Sequence, residues 1–168
     1  MLKQISKRKS EGFTIIEVLI VLAIAGLIMV VVFLAVPALQ RSGRNNALNT
    51  DANNTLTAVG NYISNNGGSL PATASFTSPT VTIGASGSNQ ETATLDANAS
   101  AVTLITSATG ALTKTSAVGS IQVVTGSSAV CNATDSGLSG TTAGPARGYV
   151  VLFVAESGTG NVLKCIGG

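Results

Sequence analysis

Histidine and tryptophan are absent from this chain, and charge is scarce: Asp, Glu, Lys and Arg make up only 10% of its 168 residues. Without histidine, the commonest general base is missing. Beyond the first twelve residues the acids are Glu17, Asp51, Glu91, Asp96, Asp135 and Glu156. None forms the spaced pair that carboxylate chemistry needs. Serine and threonine abound, yet no base accompanies any of them. The chain therefore reads as non-enzymatic. Two cysteines without histidine or a carboxylate cluster make no zinc ligand set, and Asp135 is too isolated for calcium. No metal and no cofactor is expected. The formal net charge is +2, but Lys3, Lys7, Arg8 and Lys9 all lie in residues 1–12. With Glu11 also set aside, five basic residues face six acidic ones. That balance leaves no basic patch for nucleic acid.

Where charge is missing altogether, an apolar run takes its place. No charged residue occurs between Glu17 and Arg41, and Val18 to Leu39 is almost wholly Ile, Val, Leu, Ala, Met and Phe. About twenty such residues suffice to cross a bilayer as a helix, because the backbone in lipid must satisfy its own hydrogen bonds. Glu17 does not suit a plain anchor, since a carboxylate at mid-bilayer depth costs roughly 2.5–3.5 kcal/mol. A secretory signal peptide shares the basic start, but its apolar core is normally shorter and a small-residue cleavage site follows it. Here Ala23-Ile24-Ala25 lies mid-run. An ordinary signal anchor requires neither Gly12-Phe13 nor Glu17.

The basic head, Gly12, and Phe13-Thr14-Ile15-Ile16-Glu17 opening an apolar helix together resemble the type IV pilin signature, densely from Gly12 to about Gly26. The resemblance implies that a membrane prepilin peptidase cuts after Gly12. Residues 1–12 are then a cytoplasmic leader, and Phe13 becomes the N-methylated terminus. It also implies that Glu17 pairs with the new Phe13 amine of a neighbouring subunit and sets its register. The alternatives for Glu17 are its own Phe13 amine or simple protonation. Gly26 and Pro37 are weak points, costing about 1 and 3 kcal/mol in a helix. The resemblance implies that helical order lapses between them in the filament; a simple kink is the other reading.

Basic residues before the run and few after it place the leader inside and the remainder outside the cell. That compartment permits disulfides, so Cys131 and Cys165 are expected to pair, the alternative being two free thiols. Residues 13–39 are expected to form the membrane and filament-core helix. Residues 40–66 continue it with an apolar stripe of Ala47, Leu48, Ala52, Leu56, Val59 and Ile63 at helical spacing. Asn65-Asn66-Gly67-Gly68 ends it.

Residues 67–168 read as a small β-rich head with a disulfide-bounded C-terminal region. Strands are expected at Val81–Ile83, Ile121–Thr125, Tyr149–Val154 and Asn161–Ile166, the last two flanking a hairpin loop at Glu156–Gly160. The rest of residues 71–89 reads as surface loop. Asp96–Leu112 is ambiguous: the spacing of Ala101, Ile105, Ala108 and Leu112 with Asp96 as cap favours a short helix, and its Thr content argues the other way; the helix is the reading taken. Asn132 to Gly148, with Gly137, Gly140, Gly144 and Pro145, reads as a long irregular loop. Asn53-Asn54-Thr55, Asn98-Ala99-Ser100 and Asn132-Ala133-Thr134 match the glycosylation pattern, as chance alone produces in an Asn- and Thr-rich chain.

The expected fold is α+β: a long N-terminal helix with a small antiparallel sheet packed on its second half. The resemblance implies a self-assembling subunit of an extracellular fibre used for adhesion, surface motility or DNA uptake. Its implied partners are other copies of itself, the prepilin peptidase, an assembly platform with its ATPase, and the membrane before assembly. The alternatives are a type II secretion pseudopilin or competence pilin, and a membrane-anchored surface protein that never polymerises.

Overall fold

The computed structural model describes residues 12–87, 89–96, 98–106, 111–113, 115–127, 129–132 and 146–167. Residues 1–11 of the expected leader, most of the Gly-rich Cys loop, and Ala108 lie outside the described residues. The described residues form one helix, α1 (Ile15–Asn65), then β1 (Ala74–Thr77), β2 (Thr80–Ile83), β3 (Glu91–Thr94), β4 (Ala101–Ile105), β5 (Ser120–Thr125), β6 (Tyr149–Ser157) and β7 (Gly160–Gly167). This is the α+β architecture expected from the sequence. The chain divides into two compact units, residues 1–39 and 40–168.

In the first unit, every described residue is solvent-exposed, including Phe13, Ile16, Leu27 and Phe33. An all-round apolar helix has no polar face to turn toward water, so it calls for a lipid or protein surround. The apolar part of α1 is long and apolar enough to cross a membrane.

In the second unit, α1 buries Leu48, Asp51, Ala52, Thr55, Ala58, Val59 and Tyr62. The expected stripe is present, but its centre is rotated: Ala47, Leu56 and Ile63 are only half-buried. A search for apolar spacing passes over Asp51 and Thr55, which occupy the middle of the buried face. Thr55 is accommodated by donating its hydroxyl to the Asp51 carbonyl at 2.8 Å. The helix closes where Gly67, at φ 64°, lets the Gly68 N–H reach the Ile63 carbonyl at 2.7 Å. That is the Schellman arrangement.

The strands form two sheets, ordered β1-β2-β3 and β4-β5-β6-β7. Where one antiparallel sheet was expected, β4 and β5 run parallel. A parallel pair needs a crossover rather than a tight turn, and residues 106–119 supply it. β4 also corrects the expected helix over Asp96–Leu112. Val102 is buried and Leu104 half-buried, the side-chain period of a strand. Val, Thr and Ile favour that state through their β-branching. Leu112 instead packs on the far side of the sheet. The region expected to be mostly loop contains β1 and β2, and β3 follows it. Of these three strands only Val81 and Ile83 are fully buried, so little apolar signal was there to read.

β6 explains why Tyr149–Val154 was the plainest strand signal. Val151, Phe153 and Ala155 face the helix together with Leu48, Ala52, Val59, Ile121 and Val123. Val150, Leu152 and Val154 face an outer cluster with Val124, Ala129 and Leu163. A strand covered on both faces reads as a continuous apolar run. β6 and β7 join through Gly158-Thr159, with Ser157 opposite Gly160. The chain enters β5 at Gly119 (φ 86°), where a Cβ would strike the Asn98 carbonyl and the Gly119 carbonyl accepts from the Ser100 N–H at 2.9 Å.

Candidate functional site

The N-terminal motif is built around the start of α1. Gly12, Phe13 and Thr14 precede the helix. Phe13 is 86% exposed, and a Cβ at Gly12 would meet nothing within 4 Å. Thr14 begins the helix by accepting from the Val18 N–H at 3.4 Å, the position of an N-cap residue. Glu17 reaches back to it. Its Oε2 accepts from the Thr14 N–H at 2.9 Å and the Thr14 hydroxyl at 2.7 Å. The Glu17 N–H points at Thr14 Oγ1 at 3.4 Å. This is a capping box, in which residues three apart each satisfy a backbone donor of the other. Thr-x-x-Glu is its sequence signature, and the expectation for Glu17 passed over this local role. Gly26 and Pro37 both lie inside α1.

The segment carrying this geometry, residues 7–33, matches the family described as "Prokaryotic N-terminal methylation motif". The chain carries the type IV prepilin signal. No curated protein and no solved structure is similar enough to this chain to count as a match. The prepilin signal is that of a structural protein processed at its N-terminus, and it accompanies an apolar helix of membrane-spanning length. It ends at residue 33, before the second unit begins.

There the β6–β7 hairpin is clasped to α1 just beyond the apolar run. Asn45 donates from Nδ2 to the Glu156 carbonyl at 2.7 Å and accepts from the Glu156 N–H at 2.8 Å. One side-chain amide thus serves the backbone as a strand partner would. Arg44 adds a two-pronged bond to the Glu156 carboxylate, Nε to Oε1 at 2.9 Å and Nη2 to Oε2 at 2.6 Å. That bond holds the Glu156 carboxyl below its usual range. The pair is solvated, so it contributes little to stability, while the Asn45 bonds fix the hairpin's place. Arg44, Asn45 and Glu156 are far apart in sequence, and no local signal links them.

Cys131 and Cys165 are joined by a disulfide, with their Cα atoms 5.6 Å apart. Both pack against the outer cluster, so the bond fastens β7 to residues 129–132. Among the described residues no group of three or more His, Cys, Asp or Glu is placed to hold a metal ion. A shallow groove of about 240 Å³ runs between Asn54, Thr57, Ala58 and Asn61 of α1 and Thr92–Thr94 of β3. Its lining carries neither charge nor thiol. The Asn53 glycosylation match lies within α1 with its Thr55 buried, so it is not presented to an enzyme.

Asp51 is the unusual group of the head. It is buried to 1% exposure. Its Oδ1 accepts from the Asp96 N–H at 2.7 Å, pinning the link between the two sheets to α1. Its Oδ2 is buried with no hydrogen-bond partner among the described residues. Desolvation pushes the Asp51 carboxyl up; the Asp96 N–H opposes this, and the nearby Asp96 charge adds to it. A carboxyl raised on folding stabilises the fold fully below its unfolded value, and loses that contribution as pH rises through the folded one. Asp51→Asn is therefore expected to raise the melting temperature at pH 7. The gain is about 1 kcal/mol, since the amide keeps the Asp96 bond but still leaves one polar atom unpaired. The advantage should shrink as pH falls toward 4. Thermal unfolding of the detergent-solubilised chain across that range checks both parts. An Asp51→Asn protein less stable than wild type at pH 7 would show that the ionised carboxylate is favoured where it sits.

Proposed function

We propose that this protein is a structural, non-enzymatic subunit of a type IV pilus-like extracellular filament. The observation that carries the reading is the prepilin signal over residues 7–33 leading into a helix whose first half is apolar on every side and exposed. In this reading residues 1–12 are removed by the prepilin peptidase and Phe13 is methylated. Residues 13–39 sit in the membrane and then in the filament core. Residues 40–66 carry the head, residues 67–168. Its few charges and many Ser and Thr residues suit a solvated coat. The chain moves from the cytoplasmic membrane, head outward, to the cell surface through an assembly platform and its ATPase.

The pairing proposed for assembly is between Glu17 of one copy and the Phe13 amine of the next. Cleavage creates that amine, so processing licenses polymerisation. In an apolar core the pair offsets the cost that each charge would carry alone. Gly26 and Pro37 are the proposed positions between which the helix yields on packing, because each weakens the helical ladder.

Intact mass and N-terminal sequencing of filaments sheared from cells test this reading. A chain beginning at methylated Phe13, abundant in the sheared fraction and two hydrogen atoms lighter for its disulfide, is the expected result. The same chain confined to membranes would point instead to a secretion pseudopilin or minor subunit. A chain that keeps residues 1–12 would overturn the reading in favour of a surface anchor.

A further inference from the structure

The capping box lies one residue beyond the peptide bond at which processing is proposed, and this inference rests on that reading. The first backbone bond of α1 ends on the Thr14 carbonyl. Gly12 and Phe13 are therefore outside the helix. Had the helix begun two residues earlier, the Gly12 carbonyl would accept from the Ile16 N–H. It would then lie within the helical ladder, closed to attack. There is a drive in that direction. Phe13, Ile15 and Ile16 are apolar, and an apolar surround favours any backbone that satisfies itself. The Thr14–Glu17 box opposes it by meeting the first orphan donors with side-chain oxygens.

We propose that Thr14 is a positioning residue for processing: its N-cap, locked by Glu17, holds the Gly12–Phe13 bond outside the helix and open to the peptidase. In the cut, water adds to the Gly12 carbonyl carbon and the C–N bond breaks. The Phe13 nitrogen takes up both protons of the water, leaving a carboxylate on Gly12 and an ammonium group on Phe13. Thr14 contacts neither water nor carbonyl and acts only through backbone conformation. The atoms of the box all lie downstream of the cut, so the box outlasts it.

The test is a pulse-chase of the full-length precursor in cells that contain a prepilin peptidase, following its conversion to the mature chain. Thr14→Val keeps the shape and removes the acceptor. Thr14→Ser and Thr14→Asn both keep an N-cap, with different shapes. Thr14→Val is expected to be processed about fivefold more slowly, the ratio that follows from losing a cap of about 1 kcal/mol. Thr14→Ser and Thr14→Asn should run near the wild-type rate. Carbonate-resistant membrane insertion and oxidation of Cys131–Cys165 should be equal in all four, separating processing from insertion and folding. Wild-type speed in Thr14→Val would overturn the inference. So would a Thr14→Asn chain as slow as Thr14→Val, because the peptidase would then be reading the threonine itself. A wild-type chain left uncut at Gly12 would instead remove the processing reading, a result distinct from either.

Discussion

Glu17→Gln is expected to leave the precursor inserted and processed while subunits in sheared filaments fall by roughly two to four orders of magnitude. The size follows from breaking the proposed Glu17–Phe13 ion pair by removing one partner, which costs about 3–5 kcal/mol when such a pair is desolvated. Glutamine is the informative choice because it is the other residue that a capping box accepts. The bonds from Thr14 N–H and Oγ1 can still end on a side-chain oxygen, so the start of α1 is kept and only the charge is lost. Glu17→Ala removes both and cannot separate them. Quantifying the chain in sheared and membrane fractions checks the result. If Glu17→Gln assembles as wild type does, the charge is not what brings the incoming subunit into register. The role of Glu17 would then reduce to its cap.

The second large effect is on the head. Replacing Cys131 and Cys165 by serine removes a link spanning 34 residues, worth roughly 3–4 kcal/mol in the chain-entropy account. A head of this size should then melt on the order of 10–20 °C lower. The damage should be local before it is global. β7 is the last strand of its sheet, paired on one edge by β6 and fastened to Cys131 by this bond. Amide exchange should therefore quicken first along Gly160–Gly167, then in β6, with the buried face of α1 least affected. Thermal unfolding with and without reductant, together with residue-level exchange, measures both. A shift below about 5 °C would mean that the outer cluster of Val150, Leu152, Val154 and Leu163 holds β7 without the bond.

These two experiments address parts of the chain that were legible from sequence to different degrees. At the N-terminus, a basic stretch, Gly12, Phe13 and Glu17 stand at fixed spacing before an apolar run, and the whole signal lies in one short window of sequence. The helix itself, its Gly67 cap and the strand at β6 were equally plain, because periodicity, a left-handed glycine and a run buried on both faces are local signals. The capping box was legible too, since Thr14-Ile15-Ile16-Glu17 spells it out.

What the sequence by itself determined, then, is the helix, its apolar half and the processing signal. All three depend on residues within a few turns of each other and on the solvent the chain must meet. Only the tertiary structure decided the rest of the head. The parallel pairing of β4 with β5 turned a helical spacing into a strand, because the ladder with β5 and burial of Val102 in the core act together with the β-branched residues against the apolar spacing. Asp51 became a buried, half-satisfied carboxylate because Asp96, distant in sequence, supplies one hydrogen bond and no other described residue supplies one for its second oxygen. Asn45 and Arg44 became a clasp only once the β6–β7 hairpin was laid beside α1. In each case the deciding energy is a contact between segments far apart in the chain, and no window along the sequence contains both halves of it.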